Sequence, residues 1–321
     1  MGELYSLLRA DYGARVVQLN HPRGKRPGTH DGNFFTHLGT QGAPVDATRP
    51  LTASPNARLL DAALDGTRPI DFDAIEVMNG EAWHQYQVTR DDFHWLLRQG
   101  LRRTATANSD THGPDELAGM PRNYVRVPEG LEEDAAALDE ALRRGRSFGT
   151  TGPLVVHFAV NGGSMGDTVG APDGRVRVEY RVVAAPWVPL DEVRLLVNGE
   201  VVRVRRETSG STELVLARDA FVTLEAGAPL DADPSIWRAT HRGLYTDVIA
   251  PGFLAAAFTN PVFVDVDGDG VWRAPGLLPL RSDAPFGAGS LVAALAVYGI
   301  HVRRRRRRRG RGKGASNPVA A

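Results

Sequence analysis

Apolar positions in the first half of the chain follow two rhythms, and the order in which they alternate repeats. Leu4, Leu7 and Leu8 share one face of a helix, and the run Ala14 to Leu19 reads as a buried strand that ends at the polar loop Asn20-His21-Pro22. The same order returns with a helix over Asn56 to Leu64, a strand over Asp73 to Val77, and Met78-Asn79-Gly80 at its end. It returns a third time. Thr89 and Asp92 resemble a capping box opening a helix through Leu97, Gly100 stops it, and the strand Thr104 to Ala107 runs into Asn108-Ser109-Asp110-Thr111-His112. Repeated helix–strand units imply a parallel sheet or barrel, whose functional groups gather at the carboxyl ends of the strands. All three polar clusters fall there.

A further helix, Leu131 to Arg144, is closed by Gly145, and Ser147 to Pro153 reads as a loop leaving the domain. The texture then changes. Short alternating segments, Val155 to Val160, Val176 to Val183, Val193 to Val197 and Thr212 to Leu216, are separated by Asn-Gly or Asp-Gly turns at 161, 173 and 198. That pattern predicts an antiparallel β-sandwich. The chain thus divides into an α/β part over 1–153, an all-β sandwich-like part over 154–275, and a tail over 276–321. In the tail, an apolar stretch at 286–302 is at the short limit of a membrane span and runs into the arginines Arg303 to Arg309, the charge order expected of a cytoplasmic end. This segment is the expected point of any membrane contact.

Composition narrows the chemistry. A chain of 321 residues with 42% hydrophobic and 24% charged residues is long enough for two cores. The 38 basic and 38 acidic residues balance, and no basic face accompanies the arginine run, which argues against a nucleic-acid partner. Without cysteine, any metal must be held by nitrogen and oxygen. The N-terminus lacks the basic start and apolar core of an export signal and reads as a helix already under way, so the expectation is that the chain starts within a domain.

His21 ends a strand, and Pro22 stiffens the turn behind it. Asp110 and His112 are spaced i, i+2, which in extended backbone sends both to one face, where they can meet one metal ion or two neighbouring ones. A carboxylate and imidazoles suit zinc, manganese or iron, with open positions left for water. Glu76 and Asn79 end the middle strand. Glu76, between Ile75 and Val77, is expected to point away, and Asn79 to stand behind the site. Arg23 and Arg122 could grip an anionic substrate with forked hydrogen bonds. His30, His37, His84 and His94 lie nearby and are read as ordinary loop or helix histidines. Farther on, Asp265, Asp267 and Asp269 with Gly268 and Gly270 resemble the start of a calcium loop, but its twelfth position is Gly276, where an EF-hand needs glutamate. A plain Asp/Gly turn is the competing reading.

Together, Gln18 to Arg23, Ala74 to Gly80, Asn108 to His112, Pro121 to Val125 and Gly145 to Pro153 resemble the second half of a PHP-superfamily metallohydrolase, closest to the CehA/McbA branch. The resemblance covers about the first 153 residues. It implies a partial, distorted (β/α)7 barrel, a cluster of divalent metal ions at the strand ends, and metal-activated water attacking a small-molecule ester. His21 would match the histidine of the family's His-Pro motif, and Asp110 and His112 its final Asp-X-His. The family's opening His-X-His motif is not found upstream of Ala14. The expectation is that this motif, and any export signal to the cell envelope or beyond, lies upstream of the sequence given; without such a signal the compartment would be cytoplasmic. The competing class is a non-catalytic envelope protein that binds a ligand through its sandwich.

Overall fold

The computed structural model describes residues 1–24, 33–38, 42–114 and 116–277, with 37 and 38 by backbone alone. His30, the His37 side chain, the apolar stretch 286–302 and the arginine run lie outside the described residues. Among the described residues no helix is long and apolar enough to cross a membrane.

The first sheet holds three parallel strands in the order β1 (Gln18–Leu19), β2 (Ala74–Asn79), β3 (Thr104–Asn108). Every residue of β2 is buried, as a central parallel strand covered on both faces requires. Helix α1 (Gly2–Ala10) precedes this sheet, and α2 (Trp83–Arg98) connects β2 to β3. The expected strand from Ala14 shrinks to its last two residues. Its approach is carried by a side chain instead, with the Asp73 carboxylate accepting from Val17 N at 2.8 Å.

Two expected helices change. Over Asn56 to Leu64 only a single 3-10 turn, Asn56–Leu60, forms before Asp61 turns to extended backbone at ψ 106°, and the Asn56 amide ties the preceding loop, on Asp46 N (2.9 Å), Asp46 O (2.8 Å) and Arg49 O (3.2 Å). Helix α2 begins at Trp83, not at Thr89. Thr89 lies mid-helix, and Asp92 cannot cap because its carboxylate is buried against Arg23. Its end is as expected, with Gly100 in the left-handed region at φ 84°.

After β3 come β4 (Arg122–Val125), α3 (Ala135–Arg143) and β5 (Ser147–Thr150). Asp134 caps α3 by accepting from Ala136 N and Ala137 N at 2.8 and 3.0 Å. The expected loop at Ser147 is therefore a strand for its first four residues. It is fully buried because it lies between β4 and β14 (Ala256–Thr259).

The rest of the described chain is mostly strand. β6 (Leu154–Val160), β7 (Gly163–Ser164), β8 (Thr168–Gly170), β9 (Arg175–Ala184), β10 (Glu192–Val197), β11 (Glu200–Arg205), β12 (Ser209–Val215) and β13 (Ala220–Gly227) lead to the short helix α4 (Pro234–Thr240), then to β14 and β15 (Val262–Asp265). They form an antiparallel sheet ordered β12-β9-β6-β7 and a larger one running β11-β10-β13-β14-β5-β4, with β15 joining β13 to β8. The Asn-Gly turns are as read: Asn161 and Gly162 have φ of 47° and 80°, and Asn198 and Gly199 have 54° and 85°, the paired positive values of a tight hairpin. On β6, Leu154, Val156, Phe158 and Val160 alternate inward. Tyr180 and Thr212 of one sheet and Val193, Leu195 and Leu224 of the other line one small cavity between the sheets, in keeping with the region's sandwich character.

Two side-chain amides join the parallel sheet to the larger one. Asn123 of β4 exchanges bonds with Ala107 N and O, both at 2.8 Å. Asn260, just past β14, does the same with Ala105 N at 2.8 Å and O at 3.1 Å. Each amide stands in for one peptide unit of a missing neighbour strand, satisfying the free edge of β3. Helix α2 is fastened by charge as well: Arg90 and Arg194 both donate to the buried Glu225 carboxylate. Burial alone would raise the Glu225 pKa, but the two guanidinium groups outweigh it and hold it below the ordinary range.

Candidate functional site: the ends of the parallel strands

The three strands deliver their polar ends to one place. His21 Nε2 lies 3.5 Å from Asp110 Oδ1, and His112 Nε2 lies 3.7 Å from the same oxygen. Two ligands of one tetrahedral ion, each about 2.0–2.1 Å from it, stand about 3.3 Å apart, so these separations suit atoms flanking a cation. The two imidazoles share Asp110 without closing on each other. Among the described residues, the group whose ligand atoms all lie within 4.8 Å is a different one, Asp219, Asp265 and Asp267.

Both His21 and Asp110 sit in the left-handed region, at φ 49° and 54°. For residues other than glycine such backbone costs on the order of 1–3 kcal/mol and needs the surroundings to hold it. His21 is held at both ends: its N–H donates to Glu76 Oε2 at 2.8 Å, and its carbonyl accepts from Asn33 Nδ2 at 3.0 Å.

Glu76 does not point away. Its Oε2 lies 3.2 Å from His21 Nδ1, its Oε1 accepts from Asn108 Nδ2 at 2.9 Å, and its side chain is 1% exposed. The cause is a β-bulge: the β2–β3 register slips between Glu76 and Met78. Strand alternation would put Glu76 and Asn79 on opposite faces, and one extra residue brings them to the same one. Asn79 therefore also reaches His21 Nδ1, at 3.3 Å. Nδ1 thus meets the Glu76 carboxylate, an acceptor, and Asn79 Nδ2, a donor, while Nε2 is the ring nitrogen that faces Asp110. Asn79 Oδ1 is buried without a hydrogen-bond partner among the described residues.

The arginines differ from their expected use. Arg23 places Nε and Nη2 on the Asp92 carboxylate, both at 2.7 Å, and donates to Phe35 O and Val45 O at 3.1 and 3.0 Å. Its fork is fully engaged in holding the loop after His21. Arg122 remains partly exposed, with a buried Nε that finds no acceptor among the described residues. His84 is exposed. His94 is buried, and burial, with Arg90 and Arg98 adding to it, pushes its pKa well below the usual value, so it is a neutral core residue. His112 is 75% exposed and held at its backbone by Glu116.

In the Asp/Gly loop, Asp265 and Asp267 come together with Asp219, which the sequence pattern missed because it lies in the turn before β13. Asp269 is drawn off by Arg273, 2.5 Å away.

No family model matches the chain, and no curated protein matches it. Among solved structures, the fibronectin(III)-like modules of CbhA from Clostridium thermocellum are similar over 35% of this chain and 96% of theirs, at 16% identity and a TM-score of 0.22.

Proposed function

We propose that the chain is a metal-dependent hydrolase of the PHP type, related to the CehA/McbA branch, that cleaves small-molecule phosphate, carboxyl or carbamate esters. The observation that carries this reading is the approach of His21 and His112 to one oxygen of Asp110, with Glu76 backing His21 from behind. His21, Asp110 and His112 would hold a divalent ion, zinc, manganese or iron, and as the only ligands they leave positions open to water and substrate. When bound, such an ion supplies Lewis acidity and makes water a nucleophile near neutral pH.

The protein's own residues prepare the site. Glu76 would keep the proton on His21 Nδ1 and fix the ring, Asn108 holds Glu76 in place, and Asn79 stands beside the same ring nitrogen. Exposed His112 can turn toward an ion that Asp110 already holds. Arg122 is the guanidinium left to meet an anionic substrate. The family's His-X-His ligands are not in this sequence, so turnover by the chain as given is slow.

Elemental analysis tests this reading. Purified protein should carry near-stoichiometric zinc, manganese or iron, and the His21→Ala/Asp110→Ala/His112→Ala variant should carry none. With metal confirmed, hydrolysis of 4-nitrophenyl phosphate and 4-nitrophenyl acetate should depend on these three residues. Absence of metal from both proteins would remove the hydrolase reading and leave ligand binding by the sandwich.

A further inference from the structure

At the opposite end of β3 from Asp110, around its first residue Thr104, lies a second polar cavity. Arg102, Arg103, Arg143 and Arg144 line a cleft of about 180 Å³, and no carboxylate is among its described lining residues. This volume is below the roughly 300–1,000 Å³ of clefts that take drug-sized ligands, and suits a compact ion. One wall is fixed by Gly166: a Cβ there would stand 2.1 Å from Arg144 O, so only glycine lets this loop close against the turn after α3.

The nearby acids do not neutralise the cleft. Glu140 is shared by Arg143 and Arg144, at 3.3 and 2.5 Å. Asp73 lies 3.7 Å from Arg143 but 2.9 Å from Arg9, and Asp71, 3.9 Å from Arg103, is held more closely by Arg68 at 2.8 Å. Several donors are left over. Arg102 is stacked 4.1 Å over Phe263 and 4.9 Å from the Trp272 ring, with Thr168 Oγ1 its hydrogen-bond acceptor at 3.2 Å and no carboxylate partner among the described residues. Arg103 Nε is buried without an acceptor there, and Arg144 meets Glu140 through Nε. Burial pushes both Arg102 and Arg103 below the ordinary arginine range, for Arg103 in spite of Asp71 and Asp73 nearby.

We propose that this cleft binds a small polyvalent oxyanion of the phosphate class, free or as the terminal group of a larger molecule. Guanidinium forks match such oxygens two at a time, and stacking on Phe263 presents the edge of Arg102 ready oriented. The site is independent of the strand-end cluster and of its proposed chemistry.

Pyrophosphate is the probe, titrated calorimetrically at constant ionic strength with EDTA present. The full chain is used in a His21→Ala/Asp110→Ala background, so that the strand-end cluster contributes nothing and failure here leaves the hydrolase reading untouched. One saturable site is expected, weakened at least tenfold by Arg102→Gln/Arg144→Gln. Because Arg102 also packs on Phe263, the exposed Arg144→Gln alone serves as the second variant, with a several-fold loss expected and an unchanged melting curve. Absence of saturable binding at millimolar pyrophosphate would overturn the proposal. So would binding that both variants keep but that disappears on removal of Arg303 to Arg309, which would assign the anion to the tail.

Discussion

Two clusters of acidic side chains lie in this chain, and they use their lone pairs differently. In the Asp/Gly loop every carboxylate oxygen is already taken. Asp265 accepts from Gly268 N and Gly270 N, Asp219 from Val266 N and Arg273 N, and Asp267 and Asp269 each from one backbone N–H and from the Arg273 side chain. At the strand ends Glu76 accepts from one backbone N–H, that of His21, and from the Asn108 side chain. Asp110 Oδ1 faces two imidazoles, with Nε2 of His21 at 3.5 Å and Nε2 of His112 at 3.7 Å. The loop is richer in acid and the better assembled, yet its charge holds a turn together. The two clusters thus differ in the kind of neighbour each carboxylate meets, backbone N–H groups and one arginine in the loop and two imidazoles at the strand ends, more than in the number of carboxylates.

Three substitutions sharpen this contrast. The largest effect is expected from Glu76→Gln, which keeps the shape but weakens the hold on the His21 proton: metal affinity by competition with a chromophoric chelator should fall about 10–100-fold. Unchanged affinity would mean that the backing carboxylate plays no part. Next, Asp265→Ala removes a buried carboxylate that accepts from Gly268 N and Gly270 N and should cost about 2 kcal/mol in urea unfolding, with or without calcium. A loss seen only in calcium would turn the loop into an ion site. The smallest effect is expected from Arg273→Gln, whose side chain is 56% exposed. Its melting temperature should stay at the wild-type value, and a saturable rise on adding calcium would reveal a cation site that the arginine otherwise fills.

Much of the strand-end cluster was legible because parallel order alone brings the ends of β1, β2 and β3 together, wherever their residues lie in sequence. His21, Asn79, Asp110 and His112 follow from that. Glu76 did not, since Ile-Glu-Val-Met-Asn reads as plain alternation and a bulge is set by the partner strand, not by local composition. β5 was hidden for a related reason. Ser147-Phe148-Gly149-Thr150 is buried on both faces and shows no period, and Gly149, which suggests a turn, is required by packing: a Cβ there would lie 2.5 Å from Phe258 and 2.7 Å from Ala107. The hairpins were legible because Asn-Gly carries its own backbone preference. The helix expected from Asn56 ends at Leu60, where Asp61 takes extended backbone. The Arg90–Glu225–Arg194 group joins residues too far apart in sequence for any window to connect.

The asparagines along the edge of β3 also set a timetable. Asn123 follows Ala107 by 16 residues, but Asn260 follows Ala105 by 155. At about 5–20 residues per second, a nascent chain carries half of that edge unclosed for roughly 8–30 s after β3 is made. During that interval the exposed amides of β3 are open to a neighbouring polypeptide on the same message, so faithful maturation of the parallel sheet depends on completing a region translated long after it.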